Sequence, residues 1–368
     1  MFKLRDREIA EMILTKIGMM NLQLTLMHVC GTHQDTFVRF GLMERLVHAG
    51  IEVRQGPGCP VCVTLPQEID EVLALANSSK VITAFGDAIR VPGTDGSLMS
   101  AKADGADVRV VYGIDDAIEI AKKEKDKEVV FFAIGFETTS PTTAAVLLAS
   151  PPENFSILST HRIMPPALAA IVKMGEVRLH GLIQPGHVST IIGTRPYAFL
   201  SKEHRIPQVV AGFEPLDVLM AIYMLAKQNL EGRAQVENEY SRVVKEEGNP
   251  KALAMLDEVF NKTDVAWRGF PVIAGSRLDL KPGFDEWNAR KKYSSILGDV
   301  DYTRYKEPHG CRCGELLRGI ATPEECMLFG KKCTPDTPVG PCMVSREGSC
   351  NISFKYRKLR AASLDSDD

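Results

Sequence analysis

From Leu24 to about Ala211 the chain alternates short apolar runs with longer stretches in which apolar residues recur every three or four positions. The runs are Leu24–Val29, Ile51–Arg54, Val81–Phe85, Val108–Tyr112, Val129–Ile134, Ser156–Ser159, Gly181–Ile183 and Gln208–Ala211. Nearly all are β-branched and bounded by Gly, Pro or polar residues, and they predict strands. Pro66–Asn77, Asp115–Glu124, Thr142–Ala149 and Pro165–Met174 lie between them and predict helices. Such alternation implies an α/β fold, with parallel sheets covered by helices on both faces. Ahead of it, residues 8–20 place Ile9, Met12, Ile13 and Ile17 on one face of a short amphipathic helix.

Eight strands can form one sheet or two. Val130–Ile134 runs into Gly135-Phe136-Glu137, and Val209–Ala211 runs into Gly212-Phe213-Glu214. That echo favours two parallel-sheet units with related turns, divided near residues 113–116. The expected units are residues 21–114 and 115–215, followed by a helical and cysteine-rich unit of 216–368 joined by residues 1–20. After Pro215, Leu216–Gln228 reads as a helix and Ala234–Glu247 as a second. Pro308–Cys350 holds six cysteines, five prolines and six glycines, so only short helical pieces fit there. A segment of that composition buries too little apolar surface to fold without a staple.

Composition narrows the function classes. The 368 residues are 45% hydrophobic and 25% charged, as in ordinary globular proteins. A formal charge of −3 provides no electrostatic footprint for nucleic acid or an anionic membrane. The longest apolar runs are strand-sized, far below the roughly 20 residues of a membrane span. The opening Met1–Glu8 is charged and has no signal-peptide core, which predicts a cytoplasmic protein. Thiols stay reduced there, and clustered cysteines point to metal or redox chemistry before structural disulfides.

The nine cysteines are not scattered as core residues would be. Three stand early: Cys30, then Cys59 and Cys62 in Gly56-Pro57-Gly58-Cys59-Pro60-Val61-Cys62. Six stand late: Cys311, Cys313, Cys326, Cys333, Cys342 and Cys350. This describes two thiol sites separated by a thiol-free scaffold. The late six can bind zinc, ligate an iron–sulfur cluster or pair with one another. None shows the Cys-x2–4-Cys knuckles usual in structural zinc sites. Their wide spacing on a loop-rich chain suits a [4Fe-4S] cluster, which needs four thiolates and leaves two over. Spacing does not select which four.

Cys30 ends a predicted strand and opens Cys30-Gly31-Thr32-His33. Ligand sites of parallel α/β sheets collect outside the carboxyl ends of strands. A thiolate and an imidazole at such a rim suit a thiophilic metal, Fe(II) or Zn(II), or else serve as a core thiol and a helix-capping histidine. Cys59 and Cys62 sit in a proline-stiffened turn, where they can close a disulfide, chelate a metal or lower one thiol's pKa. Glu137, Thr138 and Thr139 stand where a strand gives way to a helix, a place for a partner or anion contact, with capping by Thr139 or Ser140 as the plain alternative. His187 in Gln184-Pro185-Gly186-His187-Val188-Ser189 also follows a strand. The glycines of Gly86–Gly93 match no nucleotide-binding fingerprint.

These motifs, in this order from Leu26 to Cys350, resemble the HypD family of [NiFe]-hydrogenase maturation factors, and Gly-Pro-Gly-Cys-Pro-Val-Cys is the most specific of them. The resemblance implies a Cys-x14-Cys-x6-Cys-x16-Cys cluster signature, matched by Cys311, Cys326, Cys333 and Cys350. Cys313 and Cys342 are then the spare pair beside the cluster. It further implies assembly of the Fe(CN)2CO unit, with the iron held at Cys30 jointly with a HypC-like chaperone, His33 as neighbour, and cyanide arriving from a HypE-like carrier. Cys59 and Cys62 become a redox-active pair near that iron. The competing readings are a free-standing iron–sulfur thiol/disulfide reductase and a zinc-stabilised binding protein.

Overall fold

All eight runs marked by the hydrophobic pattern are strands in the computed structural model, which describes residues 5–305 and 307–364, the last seven by backbone alone. Residues 1–4, 306 and 365–368, included in the expected units 1–20 and 216–368, lie outside the described residues. The strands are β1 (Leu24–His28), β2 (Ile51–Gln55), β3 (Val81–Ala84), β4 (Val108–Val110), β5 (Val129–Ala133), β6 (Phe155–Ser159), β7 (Gly181–Pro185) and β8 (Gln208–Ala211). Three follow that the apolar runs do not mark: β9 (Val236–Asn238), β10 (Phe260–Ala266) and β11 (Val272–Leu280).

Two parallel sheets form, in the orders β2-β1-β7-β8-β9 and β4-β3-β5-β6. Strand membership therefore does not follow the expected division near 113–116. β1 and β2 leave the chain's first stretch to pair with β7 and β8, while β3 and β4 join β5 and β6. Successive residues face opposite cores. Leu26 packs against the helices on the outer face of the first sheet, and Met27 packs inward with Ile82, Val130 and Leu182. All five residues of β5 and of β6 are buried, as strands covered on both faces must be.

The N-terminal helix Arg7–Met19 buries Ala10, Ile13, Leu14 and Ile17 against helix Pro215–Leu230. Ile9 and Met12, expected on that face, are exposed, because the buried stripe runs one position later. Each fully buried aliphatic side chain there contributes about 1.5–3 kcal/mol. The expected helix Ala234–Glu247 is corrected as well. Val236, Tyr240 and Val244 stand at helical spacing there, but the open edge of β8 takes the first residues as β9, pairing in parallel with it.

β10 and β11 form an antiparallel hairpin. It docks on the second sheet, where Ser159 Oγ donates to the Leu278 carbonyl and Ile163 N–H to that of Ser276. Helix Pro250–Val259 leads into the hairpin, capped by Asn249 and started by Pro250. In the cysteine-rich segment the helices are short, Cys313–Leu317 and Pro341–Val344, before the final helix Ser349–Leu364. No helix among the described residues is long and apolar enough to cross a membrane.

Candidate functional site

Because β1, β2, β7 and β8 are parallel, their carboxyl ends lie along one edge of the first sheet. Cys30, the Cys59–Cys62 turn, His187 and Phe213 follow those four ends. Cys30 has extended backbone and precedes helix Gly31–Arg39, so the Thr32 and His33 amides and the Thr32 hydroxyl face its sulfur. Burial pushes its thiol up to about 11, and the charge of Glu347 adds to the rise. Glu347 arrives from the cysteine-rich segment: a Cβ on Gly31 would lie 2.4 Å from Glu347 Cβ. Desolvation and the charge of Asp87 push the Glu347 carboxyl up to about 7.

Cys59 and Cys62 are disulfide-bonded and fully buried. Pro60 opens the one-turn helix Pro60–Val63, and the Cys62 N–H donates to Cys59 Sγ at 3.1 Å. The turn lies directly on Cys30. A Cβ on Gly58 would stand 2.2 Å from the Cys30 nitrogen and 2.5 Å from its Cα. Only glycine lets these two backbone segments approach so closely.

His33 is fully buried, with its Nε2 2.9 Å from the Gly212 carbonyl and its Nδ1 without a partner. Burial lowers its pKa to about 4, so the ring is neutral at pH 7. Its ring lies 5.0 Å from that of Phe213, on which His187 stacks at 3.8 Å. The two imidazoles thus brace one aromatic ring just beyond the carboxyl end of β8.

The C-terminal thiols dock onto this edge. Cys62 Sγ lies 3.9 Å from the Pro341 carbonyl, and helix Pro60–Val63 touches both Cys313–Leu317 and Pro341–Val344. The Cys313 sulfur stands within hydrogen-bonding reach of both Cys311 and Cys342. Cys311, Cys313, Cys326, Cys333 and Cys350 line one small pocket walled by Leu316, Leu328, Phe329 and Met343. Gly340 keeps it open: a Cβ there would lie 2.6 Å from Cys313 Sγ and 2.8 Å from Cys311 Sγ. No three His, Cys, Asp or Glu side chains among the described residues are arranged to hold a single metal ion. A [4Fe-4S] cluster makes a different demand, one thiolate for each of four irons, and four or five thiols around one apolar pocket fit it.

Glu137, at the end of β5, is buried in the second sheet's edge rather than at the thiols. Its Oε1 accepts from the Met164 N–H at 2.9 Å, and its Oε2 has no partner. Burial pushes the carboxyl up to about 7. Thr138 is exposed. Neither Thr139 nor Ser140 makes the expected side-chain cap, for Thr139 is turned against Gly135 and the buried Ser140 hydroxyl has no partner. The structure brings Cys30, His33, Cys59, Cys62, His187, Cys313 and Cys342 to one region and leaves Glu137 and Thr139 outside it. Sequence reasoning missed Glu347, Gly58 and Gly340 as site residues; their one signal was adjacency to cysteines.

The HypD family model, described as "Hydrogenase formation hypA family", matches residues 6–357. A Methanocaldococcus jannaschii relative named "Putative hydrogenase expression/formation protein" is 46% identical over 365 residues, 98% of this chain and 100% of the relative. The hydrogenase maturation factor HypD of Rhizobium leguminosarum is 45% identical over 346 residues, 91% of this chain and 88% of the relative. That of Cupriavidus necator is 40% identical over 371 residues, 97% of this chain and 96% of the relative. The two thiol sites and the segments that carry them fall inside the matched region, and the chain belongs to the HypD family, with a role in hydrogenase maturation.

Proposed function

We propose that this protein is the scaffold on which the Fe(CN)2CO unit of [NiFe]-hydrogenases is assembled. Iron is the cargo, held by Cys30 together with a cysteine of a HypC-like chaperone. A HypE-like carrier delivers cyanide as a thiocyanate. The observation that carries this reading is the continuity of thiols, from Cys30 across Gly58 to Cys59–Cys62 and on to Pro341, Cys342 and Cys313.

Each residue has a task on that line. Cys30 is protonated when free, and a soft metal drives its deprotonation on binding; the Thr32 and His33 amides then face the thiolate. Reductive release of cyanide from an S–CN group takes two electrons and one proton, leaving a thiol and cyanide ion. A Cys59/Cys62 dithiol supplies both electrons and becomes a disulfide, the state found here. Cys313 and Cys342 would restore it, a reading supported by the contact of helix Pro60–Val63 with both segments that carry them. Cys311, Cys326, Cys333 and Cys350 would hold a [4Fe-4S] cluster, which when bound supplies electrons one at a time. Full burial of Cys59 and Cys62 argues against a free-standing disulfide reductase, which must present one sulfur to its substrate.

The test is infrared spectroscopy of the protein co-expressed with its partner proteins. Cys30→Ala should fold and keep the cluster's visible absorption, yet its complex should lack cyanide and carbonyl bands. Normal bands in that variant would show that the iron is held elsewhere.

A further inference from the structure

Hairpin turns usually face water, but three residues of the one joining β10 to β11, Trp267, Arg268 and Phe270, are driven into the protein. Trp267 and Arg268 are 1% and 2% exposed. The Trp267 indole stacks on Phe136 at 5.7 Å and donates to Ser276 Oγ. Arg268 N–H donates to the Val63 carbonyl at 3.0 Å and its Nε to that of Thr64 at 3.4 Å, the two residues after Cys62. Gly269 has φ +80°, and a Cβ on it would lie 2.4 Å from the Cα of Gly314, the residue after Cys313. The turn thus borders both thiol pairs, touching Val63 and Thr64 after Cys62 and Gly314 after Cys313. Arg268 Nη1 meets the Tyr305 hydroxyl at 2.9 Å and Glu307 at 3.0 Å, while Nη2 is buried without a partner. A guanidinium nitrogen left unpaired in the interior is costly unless charge is due to appear beside it.

We propose that Arg268 is a positioning residue of the thiol relay, its guanidinium holding the negative charge that moves from sulfur to sulfur as the disulfide passes between the two pairs. The inference rests on the relay in the preceding reading. In the exchange, the Cys342 thiolate attacks Cys62, the Cys59–Cys62 bond breaks, and Cys59 leaves as thiolate. Cys313 then attacks Cys342, closing a Cys313–Cys342 disulfide and releasing Cys62. Two thiols are oxidised, one disulfide is reduced, and two protons cross to the N-terminal pair. In each step one negative charge spreads over three sulfurs in a buried site, where a fixed cation acts far more strongly than in water.

The charge argument makes two variants move in opposite directions. The full-length, cluster-containing protein, with both pairs oxidised, is mixed anaerobically with one equivalent of sodium dithionite. Acid quenching, differential alkylation and peptide mapping then follow free thiols at each pair. In the wild type, Cys59/Cys62 thiols should follow those of Cys313/Cys342. Arg268→Gln should slow that second phase at least tenfold, and Arg268→Lys should recover most of it. Glu307→Gln, at a half-exposed position that folding tolerates, leaves the cation less compensated and should accelerate it at least twofold. An unchanged rate in Arg268→Gln overturns the proposal, as does slowing in Glu307→Gln, which is what a merely structural role predicts. Should Arg268→Gln fail to fold, the direction of the Glu307→Gln change decides alone. If the wild type never reduces Cys59/Cys62 after Cys313/Cys342, the relay itself fails, and the role of Arg268 fails with it.

Discussion

Gly58→Ala changes no thiol and no charge, yet it strikes the contact on which the N-terminal site depends. The added Cβ would stand 2.2 Å from the Cys30 nitrogen and 2.2 Å from the Val29 carbonyl carbon. Carbon atoms pack best at about 3.5–4.0 Å, so the two backbones must part by roughly 1 Å. β1 is pinned on both sides by β2 and β7, and the turn carrying Cys59 and Cys62 has to give way. Overpacking of this kind costs about 1–3 kcal/mol, and a clash with backbone on both sides belongs at the upper end. At about 2–4 °C per kcal/mol for units of this size, the melting temperature should fall by roughly 4–12 °C. A misplacement near 1 Å at reacting groups costs on the order of 100-fold in rate. Differential scanning calorimetry and infrared spectra of the co-expressed complex check both effects. The expected protein is folded, retains its cluster absorption and is depleted in cyanide bands. A variant with wild-type melting and full cyanide and carbonyl bands would refute the reasoning.

Three other outcomes follow, two from the structure and the last from the proposed cluster. Arg162 Nη2 and Glu68 Oε2 are 2.5 Å apart with side chains 1% and 5% exposed, so Glu68→Gln leaves a buried cation short of its partner and should cost about 3–5 kcal/mol, read by urea unfolding through Trp267 and Trp287. Burial raises the Glu137 carboxyl from 4.5 to about 7, so the folded chain binds a proton that the unfolded chain releases; the contribution of this carboxyl to stability should decline by about 3 kcal/mol as pH rises across that interval and stay level above it, opposite in sense to that of the buried His33. Glu137→Gln should flatten that slope, and an unchanged pH profile would show that the carboxyl is not protonated in the folded state. Cys326→Ala should abolish the cluster's visible absorption whereas Cys313→Ala should preserve it, and a full cluster in the first variant would overturn the ligand assignment.

The strands were legible because burial on both faces leaves an unmistakable mark: Val129–Ala133 contains no polar residue. Their grouping was not, for neighbouring strands in sequence usually pair and nothing local tells β2 that its successor belongs to another sheet. The β10–β11 hairpin escaped notice although Leu278-Asp279-Leu280 alternates as a half-buried strand does, since Asn261, Lys262, Thr263 and Asp264 hide the pattern of its partner. At the site, Cys30 and the Cys59–Cys62 pair announced themselves by spacing and by position after a strand. Glu347 and Arg268 could not. They reach the thiols through packing of segments more than 200 residues apart, and an arginine or glutamate alone carries no sign of what it will be packed against.

β1 lies between β2 and β7, and β7 begins 155 residues after Leu26, its pairing partner being Gly181. A ribosome adding about 5–20 residues per second needs roughly 8–30 s to cover that distance. Once Gln55 is made, and until β7 follows, a nascent β1–β2 pair presents a bare, apolar edge to its surroundings, the arrangement most prone to join a foreign strand. The second sheet, whose strands all lie between β2 and β7, can meanwhile be completed. The fold thus asks for its uninterrupted sheet first and its thiol-bearing sheet last, and during synthesis Cys30 and Cys59 wait in the open, beyond the reach of the cysteines that will later cover them.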